Sequence, residues 1–586
     1  MIHYNSRDIN HKKPYGAVET GASVNFNVFL TDCGEAALVI KKENCQSETL
    51  TGNGFEGGCS FEWQAGEAGL YFYYFTAACG DGSEEKTDTY QLTVYEHADE
   101  GVPEWLSSGL MYQIFPDRFA KSDNYTAPFQ RKRHMIHEKW GELPVHGPDE
   151  NGIVWNDDFF GGNLAGIIEN LDYLSELGVT VIYLNPVFEA FSNHRYDTGD
   201  YHKIDPMLGT EEDFKRLCAE AGKKGMKVVF DGVFNHTGVN SVYFNKYGNY
   251  PGKGAYQSME SPYYSWYNFI YYPEEYESWW GIDTLPQVNE DDESFLDFTI
   301  RNDDSVIRHW LRAGACGLRL DVVDELPDKF LDELRIVVKE EKKDAMIIGE
   351  VWEDASNKES YGERRRYLLG RQLDSVMNYP LKDAIIRYIG YDNNAEAFFD
   401  SIERLRENYP AHIFNALMNF LGTHDTKRIL TVFSECSATY EEARQKLFSA
   451  LLIWAFMPGI PCIYYGDEIG MAGGADPLNR QCFCPELKNN EINMYFKRLL
   501  SFKKKIKDIN KMEYIPGEAA GGYFSFERRG GKESLHVAVN NGDEVKMFDT
   551  GDGKAIDFVI SGRVDYLGDN IFEMHGKSGI AVLTNR

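Results

Sequence analysis

The sequence predicts an α/β protein: a (β/α)8 barrel (a TIM barrel) carrying an inserted domain, set between two β-sandwiches. Three observations predict it. Eight short apolar runs recur through the middle of the chain, with amphipathic stretches of helical period between them. Those runs are apolar at nearly every position, as strands covered on both faces are. Both ends of the chain read differently, as short strands separated by clusters of Gly, Asp and Asn.

Residues 1–105 hold "ASVNFNVFL", "AALVIKK", "CSFEWQA", "GLYFYYFTA" and "DTYQLTVYE", a spacing that suits a small β-sandwich. "HADEGVPEW" (97–105) reads as a connector. The barrel is expected over 106–508. Its strands are "MYQIFP", "VTVIYLNP", "KVVFDGVFNH", "CGLRLDVVDE", "AMIIGEVW", "DSVMNYP", "ALMNFLGTHD" and "IPCIYYGDE". "LAGIIENLDYLSELG" (164–178) and "EEDFKRLCAEAGKKG" (211–225) are two of the intervening helices. The third unit is enlarged by an insertion at about 238–295, dense in Tyr and Trp ("YYSWYNFIYYPEEYESWWGIDTLPQVN"). Such a loop at a barrel mouth reads as a lid or binding wall rather than a core. Residues 509–586 return to short strands ("YFSFERRGG", "SLHVAVNNGDE", "DFVISG", "GIAVLT"), a C-terminal β-sandwich.

The 586 residues exceed what one core holds. Asp plus Glu number 92 against 60 Lys plus Arg, a net charge of −32, which argues against a nucleic-acid partner. No apolar run reaches the about 18 residues a membrane span needs. The opening "MIHYNSRDINHKKPYG" has no apolar core of signal-peptide length, so the cytoplasm is the expected compartment. The ten cysteines form no C-x-x-C pair, and zinc is not expected. Cys33, Cys45, Cys59 and Cys79 could pair in an oxidising compartment; free thiols are the default. The 14% aromatic content serves either core bulk or flat amphipathic ligands such as sugars.

A (β/α)8 barrel carries its chemistry at the C-terminal ends of its strands. There the third run offers Asp231, Asn235 and His236, and the fourth Arg319, Asp321, Asp324 and Glu325. The fifth offers Glu350 and Trp352, the seventh His424 and Asp425. Structural salt bridges have no reason to follow that rule. Arg319 and Asp321 project to the same face of a strand, and the guanidinium is expected to lower the Asp321 pKa, keeping a nucleophile ionised. Glu350 ends an apolar run with no basic residue before it, so desolvation is expected to favour its protonated, acid form. Two carboxylates held in different environments are what glycoside hydrolysis uses.

Over about 105–585 these motifs resemble the α-amylase superfamily, glycoside hydrolase family 13. "DGVFNH", "GLRLDVVDE", "IIGEVWED" and "FLGTHDTKR" look like its four conserved regions. The resemblance implies a retaining hydrolase of α-glucan oligosaccharides or polysaccharides. Asp321 would be the nucleophile, Glu350 the general acid/base and Asp425 the third carboxylate; His236, Arg319 and His424 would line the reacting subsite. "SNHRYDTGDYHKIDPMLGT" and "LPQVN" are similar to the neopullulanase, cyclomaltodextrinase and maltogenic amylase group. Tyr196 would there stack on the sugar, Asp197 order its loop, Asp476 and Arg480 hold a non-reducing-side glucose, and Trp352 pack on the leaving-group side. Amylopullulanases share these signatures, and transglycosylation is the alternative outcome at the same site. A non-catalytic transporter subunit would lack part of the acid triad and carry an anchor. The N-terminal sandwich resembles a carbohydrate-binding module and, in relatives, a homodimer contact. The second region departs from the group in Val323 and Asp324, where Ala and Asn are usual. No cofactor is required. Asp123 and Asn163 remain at the place of a calcium site in relatives, but Lys121 brings a cation there and calcium prefers six to eight oxygens.

Overall fold

The computed structural model describes residues 1–80, 82–97, 101–127, 135–150, 154, 156–551 and 553–585. Residues 98–100 of the expected connector lie outside these. Eight parallel strands form the central sheet: β1 (Met111–Ile114), β2 (Val181–Leu184), β3 (Lys227–Gly232), β4 (Gly317–Leu320), β5 (Met346–Gly349), β6 (Ser375–Val376), β7 (Met418–Phe420) and β8 (Ile460–Tyr464). Their spatial order is β6-β5-β4-β3-β2-β1-β8-β7, and a parallel bridge between Met377 and Met418 joins the two ends into a closed barrel. All eight predicted strands are present.

Alternation along each strand divides the barrel into an interior and a shell. Met111, Val181, Val229, Met346 and Met418 fill the interior with Ile348, Phe420 and Ile460. Tyr112, Ile182, Phe230, Leu318 and Ile347 face out and share one continuous core with the surrounding helices. Toward the C-terminal ends the inward positions turn polar. Gln113 pairs in register with Tyr183, and Asp231 with Arg319, so neighbouring strands deliver these side chains at one level.

Among the helices, Glu211–Lys223 starts with a capping box between Thr210 and Asp213. The stretch read as one helix over 164–178 is two, Leu164–Glu169 and Leu171–Leu177, with Asn170 between them and Gly178 ending the second in the left-handed conformation. The N-terminal sandwich packs a five-stranded sheet on a six-stranded one around Val24, Phe26, Leu38, Phe61 and Phe75. Cys33 and Cys79 lie opposite each other on neighbouring strands and form a disulfide, which corrects the expectation of free thiols for this pair; Cys45 and Cys59 are free. The C-terminal sandwich packs a five-stranded sheet on a three-stranded one around Phe548, Phe572, Met574 and Ile580. No helix among the described residues is long and apolar enough to cross a membrane.

The insertion is both wall and core. Tyr243, Phe244, Trp266 and Tyr267 are buried in it, while Trp279, Trp280 and Ile282 line a cleft over the barrel. "LPQVN" lies along the third strand's extension: His236 bridges Gln287, and Val288 N–H donates to Asn235 O at 2.9 Å.

Candidate active site

The cleft at the C-terminal end of the barrel has a volume of about 1150 Å³, and Asp321, Glu350, Asp425, His236, Tyr196 and Arg480 all line it. Arg319 stands at its floor, fully buried, and gathers three acids. Its Nη1 donates to Asp231 Oδ1 at 2.8 Å and to Asp321 Oδ1 at 2.6 Å. Its Nη2 lies 2.8 Å from Glu350 Oε2, a charge contact off the hydrogen-bond line. Glu350 therefore has a basic neighbour after all. The linear sequence hid it because Arg319 comes from the adjacent strand, whose register sets it beside Ile348.

The electrostatics correct a second expectation. Burial pushes the Asp321 carboxyl well up; Arg319 pulls it down, and Glu350 and Asp231 push it up again. One guanidinium does not offset desolvation plus two neighbouring acids. Burial likewise raises Asp231, against Arg319 and the hydroxyls of Tyr183 and Tyr196. Asp425 is pushed up to about 7, first by its depth in the cleft and then by Glu350, with Arg480 and Arg319 opposing. Its side chain keeps 29% of its surface open, so it faces the narrow floor of the cleft rather than protein on all sides. Burial lowers His236 to about 4 and holds His424 well below the ordinary imidazole range, so both rings are neutral at pH 7.

Backbone geometry aims the groups. Asp321 directly follows β4, and Val322 after it adopts φ 37° and ψ 53°, a left-handed conformation foreign to a β-branched residue. That kink points Val322 N–H at Glu350 Oε2, 2.8 Å away. Trp352 Nε1 donates to Glu350 Oε1 at 3.1 Å while its ring stacks on Tyr379 at 4.1 Å, leaving it 47% exposed to the cleft. Both oxygens of Glu350 thus meet donors suited to a carboxylate.

The remaining sequence-derived residues fall around this centre. Tyr196 lies parallel to the His424 ring at 5.3 Å and donates to Asp231 Oδ2 at 2.9 Å. Asp197 accepts from Phe191 N at 3.2 Å and Ser192 N at 3.1 Å, which orders the loop. Arg480 bridges Asp476 at 2.9 Å and Asp425 at 3.5 Å. Asp324 lines the cleft, but its charge is met by Lys358 at 3.0 Å and by Tyr367 OH at 2.7 Å. Neither calcium candidate lines the cleft. Asn163 Oδ1 accepts from Gly166 N at 2.8 Å as a helix cap, its amide donates to Gly161 O, and Asp123 is exposed. Asp123 joins no cluster of ion-holding groups among the described residues.

Sequence reasoning missed several lining and supporting groups. Trp279 stacks on His236 at 5.1 Å and on Trp280 at 5.3 Å, an aromatic ladder leading out of the cleft. Trp280, 79% exposed, and Tyr361 from the loop after β5 both hydrogen-bond Glu325. "WWG" beside "LPQVN" was a usable signal. Gln113, Asn185 and Tyr183 beneath the cleft gave none, being single polar residues in apolar strands.

An arginine thus stands among three acids at the strand ends of a closed (β/α)8 barrel. The family profile described as "Alpha amylase, catalytic domain" matches residues 113–519, and the chain belongs to that family. It is 34% identical over 637 residues to an amylopullulanase of Thermoanaerobacter thermohydrosulfuricus, covering 95% of this chain and 42% of that one. It is 34% identical over 455 residues to a cyclomaltodextrinase of Geobacillus thermopakistaniensis, covering 76% of this chain and 70% of that one. A solved cyclic alpha-maltosyl-(1→6)-maltose hydrolase from Arthrobacter globiformis superposes with TM-score 0.68 at 28% identity, over 83% of this chain and 100% of that one. The chain spans about half, or less, of the length of the amylopullulanases it matches.

Proposed function

We propose that the chain is a retaining α-glucan hydrolase acting on starch-derived oligosaccharides, pullulan or cyclodextrins. The observation that carries this reading is the placement of Asp321 and Glu350 on adjacent strand ends, both touching Arg319. The reaction requires a proton on Glu350 and an ionised Asp321, whose 2.6 Å contact with Arg319 is the interaction that favours its anion. With that proton on Glu350, the residue protonates the glycosidic oxygen while Asp321 attacks the anomeric carbon. Val322 N–H, Trp352 N–H and Arg319 then stabilise the carboxylate that Glu350 becomes. A covalent β-glucosyl-enzyme forms, and water activated by Glu350 releases the sugar with retention. Asp425 and the neutral His236 and His424 hold hydroxyls of the reacting glucose. Asp476 and Arg480 bind the non-reducing side.

On the leaving-group side the exposed rings of Trp352 and Trp280 offer stacking faces. The same faces retain an acceptor sugar, so transfer accompanies hydrolysis when oligosaccharide is abundant. Incubation with pullulan, β-cyclodextrin and soluble starch, with identification of the products, tests the reading. Panose from pullulan supports cleavage of α-1,4 bonds, and maltotriose supports cleavage of α-1,6 bonds. Failure to hydrolyse any of the three contradicts the proposal.

A further inference from the structure

Beneath the cleft, five side chains form one hydrogen-bonded chain whose direction is fixed at one end. Asp231 is paired with Arg319 at 2.8 Å and accepts from Tyr183 OH at 2.7 Å. A carboxylate only accepts, so the Tyr196 hydroxyl, 2.9 Å from Asp231 Oδ2, commits its single proton there. The Tyr196 oxygen then accepts from Asn185 Nδ2 at 3.0 Å. That turns Asn185 Oδ1 toward Gln113, whose Nε2 lies 3.1 Å away. The second hydrogen of the same Gln113 amide meets His424 Nδ1 at 3.0 Å. A neutral imidazole nitrogen that accepts carries no proton, so the proton of His424 is on Nε2.

We propose that Gln113 is a positioning residue that holds His424 as the neutral Nε2–H tautomer, which makes the imidazole a hydrogen-bond donor at its cleft-side edge, toward Tyr196. Nε2 faces the Tyr196 hydroxyl oxygen and Asp425 Oδ2, the latter at 3.3 Å. Its N–H is directed at the Tyr196 oxygen, filling the second acceptor site of that oxygen beside Asn185 Nδ2, while Asp425 Oδ2 lies off the hydrogen-bond line; on the hydrolase reading above, this fixes the edge that the ring turns toward the reacting glucose. Gln113 Oε1 is buried without a partner among the described residues, so the amide's orientation is dictated by what its nitrogen must donate to. Rotating both amides would reverse the chain. Tyr196 would then turn its proton away from Asp231 and set an oxygen lone pair against the carboxylate. Burial, Arg480 and Arg319 all oppose a second proton on the ring, so the tautomer is the only choice left to it.

The test is nitrogen NMR of the full chain labelled with 15N-histidine, the His424 signals being assigned by their loss in His424→Asn. The expected result at neutral pH is Nε2 at the protonated shift and Nδ1 at the unprotonated shift. In Gln113→Glu, which accepts where glutamine donates, the two shifts should exchange. In Gln113→Met, of similar volume, they should move toward a common average. Turnover of an α-glucan should fall about 10- to 100-fold in kcat with KM changing less, the scale on which partners that orient a working histidine act elsewhere. A protonated Nδ1 in the wild type overturns the proposal, whether or not the variants fold. Folded variants that keep the wild-type shifts overturn it too. The shifts are read without turnover, so a chain inactive on α-glucans would refute the hydrolase reading and leave the tautomer assignment standing.

Discussion

Arg319 carries one positive charge into a space shared by Asp231, Asp321 and Glu350, and burial makes every anion there costly. Asp425, at the edge of the same cluster, shows the consequence most directly. Its carboxyl rises from 3.8 to about 7, so the native chain holds that proton more tightly than the unfolded chain between those values. The stability it contributes is present below about pH 4 and is lost as pH rises through about 7. Asp425→Asn, neutral throughout, should therefore gain in Tm over wild type at pH 8 and gain least at pH 4; a difference independent of pH would contradict the shift. The acids themselves were legible in the sequence because they sit at the ends of apolar runs, where structure alone does not call for charge. Their electrostatics were not. The sequence pairs Arg319 with Asp321 two residues away, whereas Asp231 and Glu350 reach the same guanidinium across strands.

Strands placed the site, and one turn completes it. The eight barrel strands were legible because parallel strands buried on both faces stay apolar at nearly every position. Val322 was not legible. A valine after "GLRLD" argues for continued strand, yet the chain turns left-handed there and directs its N–H at Glu350. Asparagine tolerates that conformation, whereas proline forbids it and removes the N–H. Val322→Asn should keep α-glucan turnover within about tenfold of wild type, and Val322→Pro should lose about 10²–10³-fold in kcat, the scale for removing one donor to a developing charge. Equal effects of the two would show that the N–H is not used. The insertion was half legible. Its aromatic density marked a binding wall, but period and composition do not separate Trp279 and Trp280 in the cleft from Tyr243 and Trp266 in the insertion's own core.

At the scale of the molecule, the N-terminal sandwich is held to the barrel by charges on the helix Ala395–Asn408. Arg7 reaches Asp400 at 2.9 Å, Tyr15 donates to Glu403 at 2.9 Å, and the fully buried Lys12 lies 4.0 Å from Glu407. Glu407→Gln leaves the Lys12 ammonium buried without its counter-charge, a loss of about 3 kcal/mol. Faster hydrogen exchange in residues 23–30 of the sandwich is the expected readout, and unchanged exchange would contradict the docking role. The sandwiches themselves were legible from alternating short strands. Their docking was not, because residues nearly 400 positions apart meet there.

In the proposed mechanism Asp321 forms the covalent bond and Glu350 moves the proton. A glucosyl fluoride needs no proton to depart, and Glu350→Gln cannot activate water, so the intermediate should accumulate. Intact-mass analysis of Glu350→Gln with this substrate should show one glucosyl unit per chain, and peptide mapping should place it on Asp321 within "GLRLDVVDE". A label on another residue, or fluoride released at the wild-type rate with no label, would contradict the account.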